Sequence, residues 1–277
     1  MELLAPAGSM EKLGVAYAYG ADAAYIGVEG FSLRSKANSI AEQDPEDLAE
    51  QLTTIKGQRR LYATLNIYLH NSDLLELPET LAMLSKLPID AVIVSDLGIL
   101  EYLDRYLPDV ERHLSTQANC TNTAAAKLYH RMGFSRIIPG RELSLEEVAE
   151  IKNAIPDLAV EVFAHGAVCM AYSGRCYLSA FATGRSGNRG DCAQSCRWNY
   201  KLVEEKRPGE YLPVEENGRF LSILSARDIN LIDHLADLSN AGADAIKIEG
   251  RAKSSYYVAM VTRAYRSELD CLRSISH

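Results

Sequence analysis

Four of the six cysteines, Cys169, Cys176, Cys192 and Cys196, fall within 28 residues in the spacing C-x6-C-x15-C-x3-C. Four thiolates can close a tetrahedral zinc site or hold a [4Fe–4S] cluster. Structural zinc usually comes with C-x2-C knuckles, which are absent, so the spacing leans toward a cluster and leaves the metal open. The C-x3-C-x2-C arrangement of radical enzymes that cleave S-adenosylmethionine is missing too. Four unrelated buried thiols is the weakest reading, because the Gly- and Arg-rich loop around them offers no core to hide in. With no secretion signal, metal ligation also outranks a disulfide framework. Cys120 and Cys271 stand apart and read as small buried hydrophobes.

The elements that must position these thiols can be read from periodicity. Eight short β-branched or aromatic runs alternate with amphipathic helical stretches, the pattern of parallel strands joined by helical crossovers. They are Glu2–Pro6, Ala23–Glu29, Arg60–Asn66, Ala91–Asp96, His113–Gln117, Arg136–Arg141, Ala159–His165 and Ala245–Glu249. Eight closes a TIM-like (β/α)8 barrel. Asp44-Pro45 and the capping box Ser144-Leu145-Glu146-Glu147 mark two helix starts. Gly20-Ala21-Asp22-Ala23 recurs as Gly242-Ala243-Asp244-Ala245, a helix-ending Gly leading into a strand each time. An open doubly wound sheet is the alternative, but Ala5-Pro6-Ala7-Gly8-Ser9 is not the G-x-G-x-x-G turn that would announce it.

The spacing breaks once. About 80 residues separate His165 from Ala245, so residues 1–277 read as one barrel domain with an insertion over about 167–227 carrying the cysteines. A hairpin of Trp198–Glu204 with Arg219–Ser225 and a helix over Asp228–Ala241 are predicted next. An insertion after the seventh strand emerges at the C-terminal face, where such barrels place their active sites.

A chain of 277 residues with 47% hydrophobic residues is large enough to bury a full core. No window reaches the roughly eighteen apolar residues of a membrane span, and the start lacks a basic, cleavable leader, so a cytoplasmic protein without membrane contact is expected. The net charge of −8 repels phosphate, so nucleic acid would need a local basic patch. The densest is Arg185, Arg189, Arg197, Lys201, Lys206 and Arg207, read equally as a solvated loop.

Strand ends on the C-terminal face should present Asn66, Asp96, Gln117, Asn119, Arg141, Glu142, His165, Glu249 and Arg251. Arg141 and Arg251 suit a carboxylate-bearing ligand, because a guanidinium grips carboxylate with two parallel bonds. Arg34 is a third candidate; Asn66, Gln117 and Asn119 complete the substrate-binding set. Proton transfer falls to His165, Glu161 and Glu249. Glu161 reads equally as an ion-pair partner of Lys247 or an arginine. His165, two residues past Phe163, should share that residue's face and lie near the thiols. Tyr172 stands between the first two of those cysteines and reads equally as merely packed.

The run from Glu161 through Ser179, with Phe163, Gly166, Ala167, Cys169, Gly174 and Cys176 in place, resembles the signature of the U32 "collagenase-like" family. Leu3 to Gly8, Phe31 to Arg34 with Asn38, Ser115 to Asn119 and Lys247 to Arg251 resemble family segments too, so the likeness covers nearly the whole chain. Cys192 to Trp198 and Arg207 to Tyr211 are most similar to the branch associated with prephenate-dependent formation of 5-hydroxyuridine at the tRNA wobble position. The resemblance implies an oxygen-independent hydroxylase, a [4Fe–4S] cluster on the four cysteines, prephenate as hydroxyl donor, a tRNA anticodon loop as partner and a possible partner chain of the same family. Trp198 or Tyr200 would stack on a base. Members of this branch usually continue into a C-terminal domain, whereas this chain stops just after the helix predicted over Ser254–Arg273. The rival readings are a collagenase-like peptidase and a zinc-stapled, non-catalytic RNA-binding or assembly module. Against the first, H-E-x-x-H and G-x-S-x-G are both absent, and a Cys169–His165 pair would leave three cysteines unexplained.

Overall fold

A computed structural model of the chain describes residues 1–33, 44–169, 171–198, 202–203, 205–206, 208–209, 211–212 and 228–275. Arg34, Asn38, Tyr200 and the predicted hairpin arm 219–225 lie outside the described residues.

Eight parallel strands close into a barrel: β1 (Glu2–Pro6), β2 (Ala23–Gly27), β3 (Arg60–Leu65), β4 (Ala91–Val94), β5 (Glu111–Leu114), β6 (Arg136–Ile137), β7 (Ala159–Ala167) and, after two strands of the insertion and one return strand, β11 (Ala245–Ile248). The last pairs with both β7 and β1, which shuts the ring. Helices α1 (Met10–Ala18), α2 (Pro45–Lys56), α3 (Asp73–Leu84), α4 (Leu100–Tyr106), α5 (Thr123–Arg131) and α6 (Leu145–Ala154) cross over between strands, α8 (Leu235–Asn240) precedes β11, and α9 (Ser255–Ile275) follows it. The predicted barrel and its eight strands are therefore present. Strand β6 is shorter than expected: Ile138 still donates to Leu114, but Pro139 has no N–H with which to continue the ladder.

Each strand is buried on both faces, which explains its nearly continuous apolar reading. Leu61, Ala63 and Leu65 of β3 face the helices, while Tyr62 faces the barrel interior with Tyr25, Ile93, Ile138 and Phe163. Helix α2 starts where Asp44 accepts from the Glu46 N–H at 2.9 Å, with Pro45 as its first residue. Both halves of the Ser144–Glu147 capping box form. The Gly-Ala-Asp-Ala echo has a physical purpose. Asp22 accepts from Leu3 N–H and Asp244 from Val160 N–H, both at 2.8 Å, so each aspartate pins the start of the neighbouring strand. Asp90 does the same to Leu61 at 2.7 Å, a third use that the echo does not show. Arg266, Lys152 and Lys56 neutralise these three carboxylates.

The insertion leaves from β7 and carries α7 (Leu178–Thr183) and a small antiparallel hairpin, β8 (Leu202–Val203) with β9 (Tyr211–Leu212). The first hairpin arm is where it was predicted; its partner comes earlier in the chain. The helix predicted over Asp228–Ala241 is corrected: Asp228–Asn230 form β10, antiparallel to β7, and α8 begins only at Leu235. Strand β7 runs past its barrel neighbours, and its free edge captures the returning chain.

Candidate active site at the barrel mouth

A cavity of about 160 Å³ opens at the C-terminal end of the barrel. Its floor and walls come from strand ends, including Tyr25, Thr64, Asn66, Gln117, Arg141, Phe163, Lys247, Glu249 and Arg251, and its roof from the insertion. All four clustered cysteines line it. Burial first, then the charge of the neighbouring thiols, pushes Cys196 above its ordinary pKa. Burial also raises Cys169, with Arg141 acting in the opposite sense. The four thiols are thus electrostatic neighbours. Among the described residues, no three His, Cys, Asp or Glu side chains converge on one point closely enough to hold a single ion. Sulfur donors gathered around a space fit a four-thiolate cluster by their chemistry.

The cysteine loop is fastened by groups far away in sequence. The Glu142 carboxylate accepts from Ser173 N–H at 2.5 Å and from its hydroxyl at 3.3 Å, holding a turn in which Ser173 has φ of 46°. Gly174, at φ 77°, lies against Gln117; a Cβ there would come within 2.4 Å of Gln117 Nε2. Tyr68 donates its hydroxyl to the Gln117 carbonyl, and Arg175 Nε donates to that hydroxyl at 2.6 Å and to the same carbonyl at 3.1 Å. Asn188 Oδ1 receives Cys176 N–H at 3.0 Å, and the Ser179 hydroxyl bridges Arg185 O and Ala193 N–H. Three arginines of the basic stretch make ion pairs: Arg185 with Asp191, Arg189 with Asp73 in bidentate fashion, and Arg197 with Asp228.

Residues 8–275 match peptidase family U32. The chain belongs to that family. This U32 chain is 43% identical over 274 residues to tRNA hydroxylation protein P of Helicobacter pylori, covering 98% of itself and 64% of that protein. It is 35% identical over 280 residues to a collagenase of Porphyromonas gingivalis, covering 97% of itself and 65% of the relative. It therefore spans about two thirds of the length of these curated relatives. Among solved structures, the U32 peptidase Mk0906 superposes with a TM-score of 0.56 at 14% identity, covering 90% of this chain and 93% of that one, which speaks to the fold alone.

In this U32 chain, Asn66, Gln117, Arg141, Glu249 and Arg251 line the cavity with the four cysteines. Arg251 is buried and donates to Thr64 Oγ1 at 3.1 Å. The Arg141 guanidinium lies 3.9 Å from the centre of the Phe163 ring. Glu249 receives the Tyr25 hydroxyl at 3.2 Å. Asn66 Oδ1 accepts from Leu33 N–H at 3.0 Å. Asn119 is not at the cavity; it adopts φ 62° in the turn after β5, with its side-chain oxygen buried and unbonded. Asp96 caps the turn after β4, accepting from Gly98 and Leu69 N–H. Glu161 lies deeper, fully buried, with Oε1 on Lys247 at 3.0 Å and Oε2 on Arg136 at 2.9 Å. It is held ionised by those cations against the cost of burial. That is the ion-pair alternative of the sequence reading.

His165 requires a correction. The ladder between β7 and β11 slips after Phe163, which pairs with Lys247, so that Ile248 pairs with His165. The slip breaks the two-residue alternation. His165 therefore packs against Tyr257 and Tyr265 of α9, with Nδ1 3.4 Å from the Tyr265 hydroxyl, and does not line the cavity. Sequence reasoning also missed Thr64 and Tyr25 as cavity residues. The signal for Thr64 was present, since it shares a face of β3 with Asn66.

Proposed function

We propose that this chain is the barrel of an RNA-modifying hydroxylase in which Cys169, Cys176, Cys192 and Cys196 hold a [4Fe–4S] cluster at the mouth. The observation that carries this is the convergence of all four insertion cysteines and the cationic strand ends Arg141, Lys247 and Arg251 on one cavity. Burial and the charge of the neighbouring thiols raise Cys196, and bound iron would supply the positive charge that holds the four as thiolates. The likeness to a tRNA hydroxylation protein supports the reaction class. Prephenate, with two carboxylates, suits the two arginines, and the tRNA wobble uridine is the acceptor that becomes 5-hydroxyuridine. A family partner chain and a cytoplasmic setting belong to the same reading; among the described residues no helix is long and apolar enough to cross a membrane.

Replacing a hydrogen of the base by hydroxyl oxidises the base by two electrons, so the hydroxyl donor must be reduced by two. When bound, the cluster would supply an electron relay. Arg141 and Arg251 orient the carboxylates, Tyr25 positions Glu249 by its hydroxyl bond, and Glu249 is the carboxylate placed at the cavity to take up a proton. Lys247, held by Glu161 and lying 4.4 Å from the centre of the Tyr25 ring, adds a cation at the floor.

A peptidase reading, supported by the collagenase relative, finds no thiol–imidazole pair at the cavity among the described residues. Among the described residues lining the cavity none is a histidine, and His165 faces α9. Iron, sulfide and zinc analysis of anaerobically purified protein, beside a Cys192→Ala/Cys196→Ala variant, tests the proposal. Iron and sulfide in equal amounts, lost in the variant, followed by prephenate-dependent hydroxyuridine in tRNA, is the expected result. Stoichiometric zinc without sulfide would sink the redox mechanism.

A further inference from the structure

Four large rings stand in solvent on one stretch of the insertion. Tyr172, Tyr177, Phe181 and Trp198 are 58, 84, 90 and 47% exposed. Tyr177 and Phe181 are one helical turn apart, joined by a Phe181 N–H to Tyr177 carbonyl bond of 2.9 Å, so their rings leave the same side of α7. A concentration of exposed aromatic surface marks an interaction site. Two further observations say what would cover it. Residues 171–198 carry four arginines against one acid, Asp191, and even after Asp73 and Asp228 pair with two of those arginines the stretch keeps a positive excess, in a chain whose net charge is −8. The face is also continuous with the cavity: Cys176 and Arg197, the neighbours of Tyr177 and Trp198, both line it.

We infer that Tyr177 and Phe181, with Trp198 at the rim, form a stacking platform for unpaired bases of an RNA strand, holding the nucleotides that flank the one entering the cavity. The inference rests on the hydroxylase reading for its choice of RNA. A base taken out of its stack to reach a pocket leaves neighbours without partners, and aromatic rings replace that stacking whatever the sequence. The arginines add attraction for the phosphates, although their ion pairs with Asp73, Asp191 and Asp228 leave the rings as the larger contributor.

Fluorescence anisotropy with a labelled RNA hairpin bearing a seven-nucleotide loop, against the same strand closed into a full duplex, tests it without requiring turnover. The Tyr177→Ala/Phe181→Ala variant should lose about tenfold or more in loop affinity per ring, little in duplex affinity, and keep the same salt dependence. Phe181→Trp should retain loop binding, which separates stacking from a folding defect. Equal loop affinity in the double variant would overturn the inference while leaving the hydroxylase reading intact. So would unchanged RNA binding together with a dimer that becomes monomeric on sedimentation, which would make the rings a protein interface. Ring-dependent loop binding by protein that hydroxylates nothing would uphold the platform and refute the proposed reaction.

Discussion

The two ends of the barrel handle buried polarity in opposite ways. Toward the N-terminal end Glu2, Arg136 and Glu161, all from barrel strands, close on one another: Arg136 bonds Glu2 at 2.6 Å and Glu161 at 2.9 Å, and the second oxygen of Glu161 reaches up to Lys247 at the cavity floor. Tyr62 adds its hydroxyl to Glu2. At the C-terminal end the polar groups come from many strands and from the insertion, and they surround space. There Gln117 Oε1 is buried with no hydrogen-bond partner. A network whose charges pair within its own strands is structural, even with Arg136 Nε and His113 Nδ1 left over, whereas polar groups facing a cavity are held ready for something that is not part of the chain.

The largest effect should come from breaking the closed end. Glu161→Gln leaves Lys247 and one side of Arg136 as buried cations without a matching charge, and denaturant unfolding should show a loss of about 3–5 kcal/mol. Gln117→Ala at the open end should change stability by less than about 1 kcal/mol, because it removes a buried acceptor that had no partner, while weakening ligand binding. Equal losses for the two would erase the distinction between the ends. Next in size is Gly27→Ala. A Cβ at Gly27 would lie 2.1 Å from Arg251 Nη1, so the buried guanidinium must leave Thr64. We expect a cost of about 1–3 kcal/mol and a lower affinity for dicarboxylates by titration calorimetry. Unchanged affinity would remove Arg251 from the site.

Most of the scaffold was legible because it rests on local rules. Strand periodicity, the Asp44-Pro45 start and the Ser144 capping box each need only a few neighbouring residues. The gathering of Cys169 to Cys196 at the mouth was legible for a topological reason, since an insertion after the seventh strand must emerge there. What was not legible depends on chain segments that meet only after folding. The slip opposite Lys247 turned His165 outward; the overhang of β7 made a strand of Asp228–Asn230; Glu142 and Ser173, or Tyr68 and Arg175, are pairs that no spacing announces. Asp90 was overlooked because Ile89-Asp90-Ala91 lacks the Gly-Ala that made its two counterparts resemble each other.

The smallest expected effect sharpens the account of the closed end through pH. His113, fully buried in the barrel with its ring 4.8 Å from that of Tyr62, bonds Glu111 through Nε2 at 3.2 Å and has no partner for Nδ1. The charges facing it are Glu111, Glu161 and Arg136. Burial holds its pKa below the ordinary histidine value despite the two carboxylates, so the folded protein keeps it neutral. Its hydrogen bond, with Arg60 assisting, in turn holds the Glu111 carboxyl down at about 2. The unfolded chain therefore binds a proton at His113 that the folded chain refuses. This contribution is fully present above the unfolded value of about 6.5 and is lost as pH falls through the depressed folded value. Glu111 adds a second loss as pH falls from its unfolded value of about 4.3 toward 2. Unfolding free energy measured from pH 8 to pH 5 should decline, and His113→Gln should flatten that decline while leaving the more acidic one. A slope unaltered by the substitution would mean that another group, away from this closed network, sets the acid sensitivity of the fold.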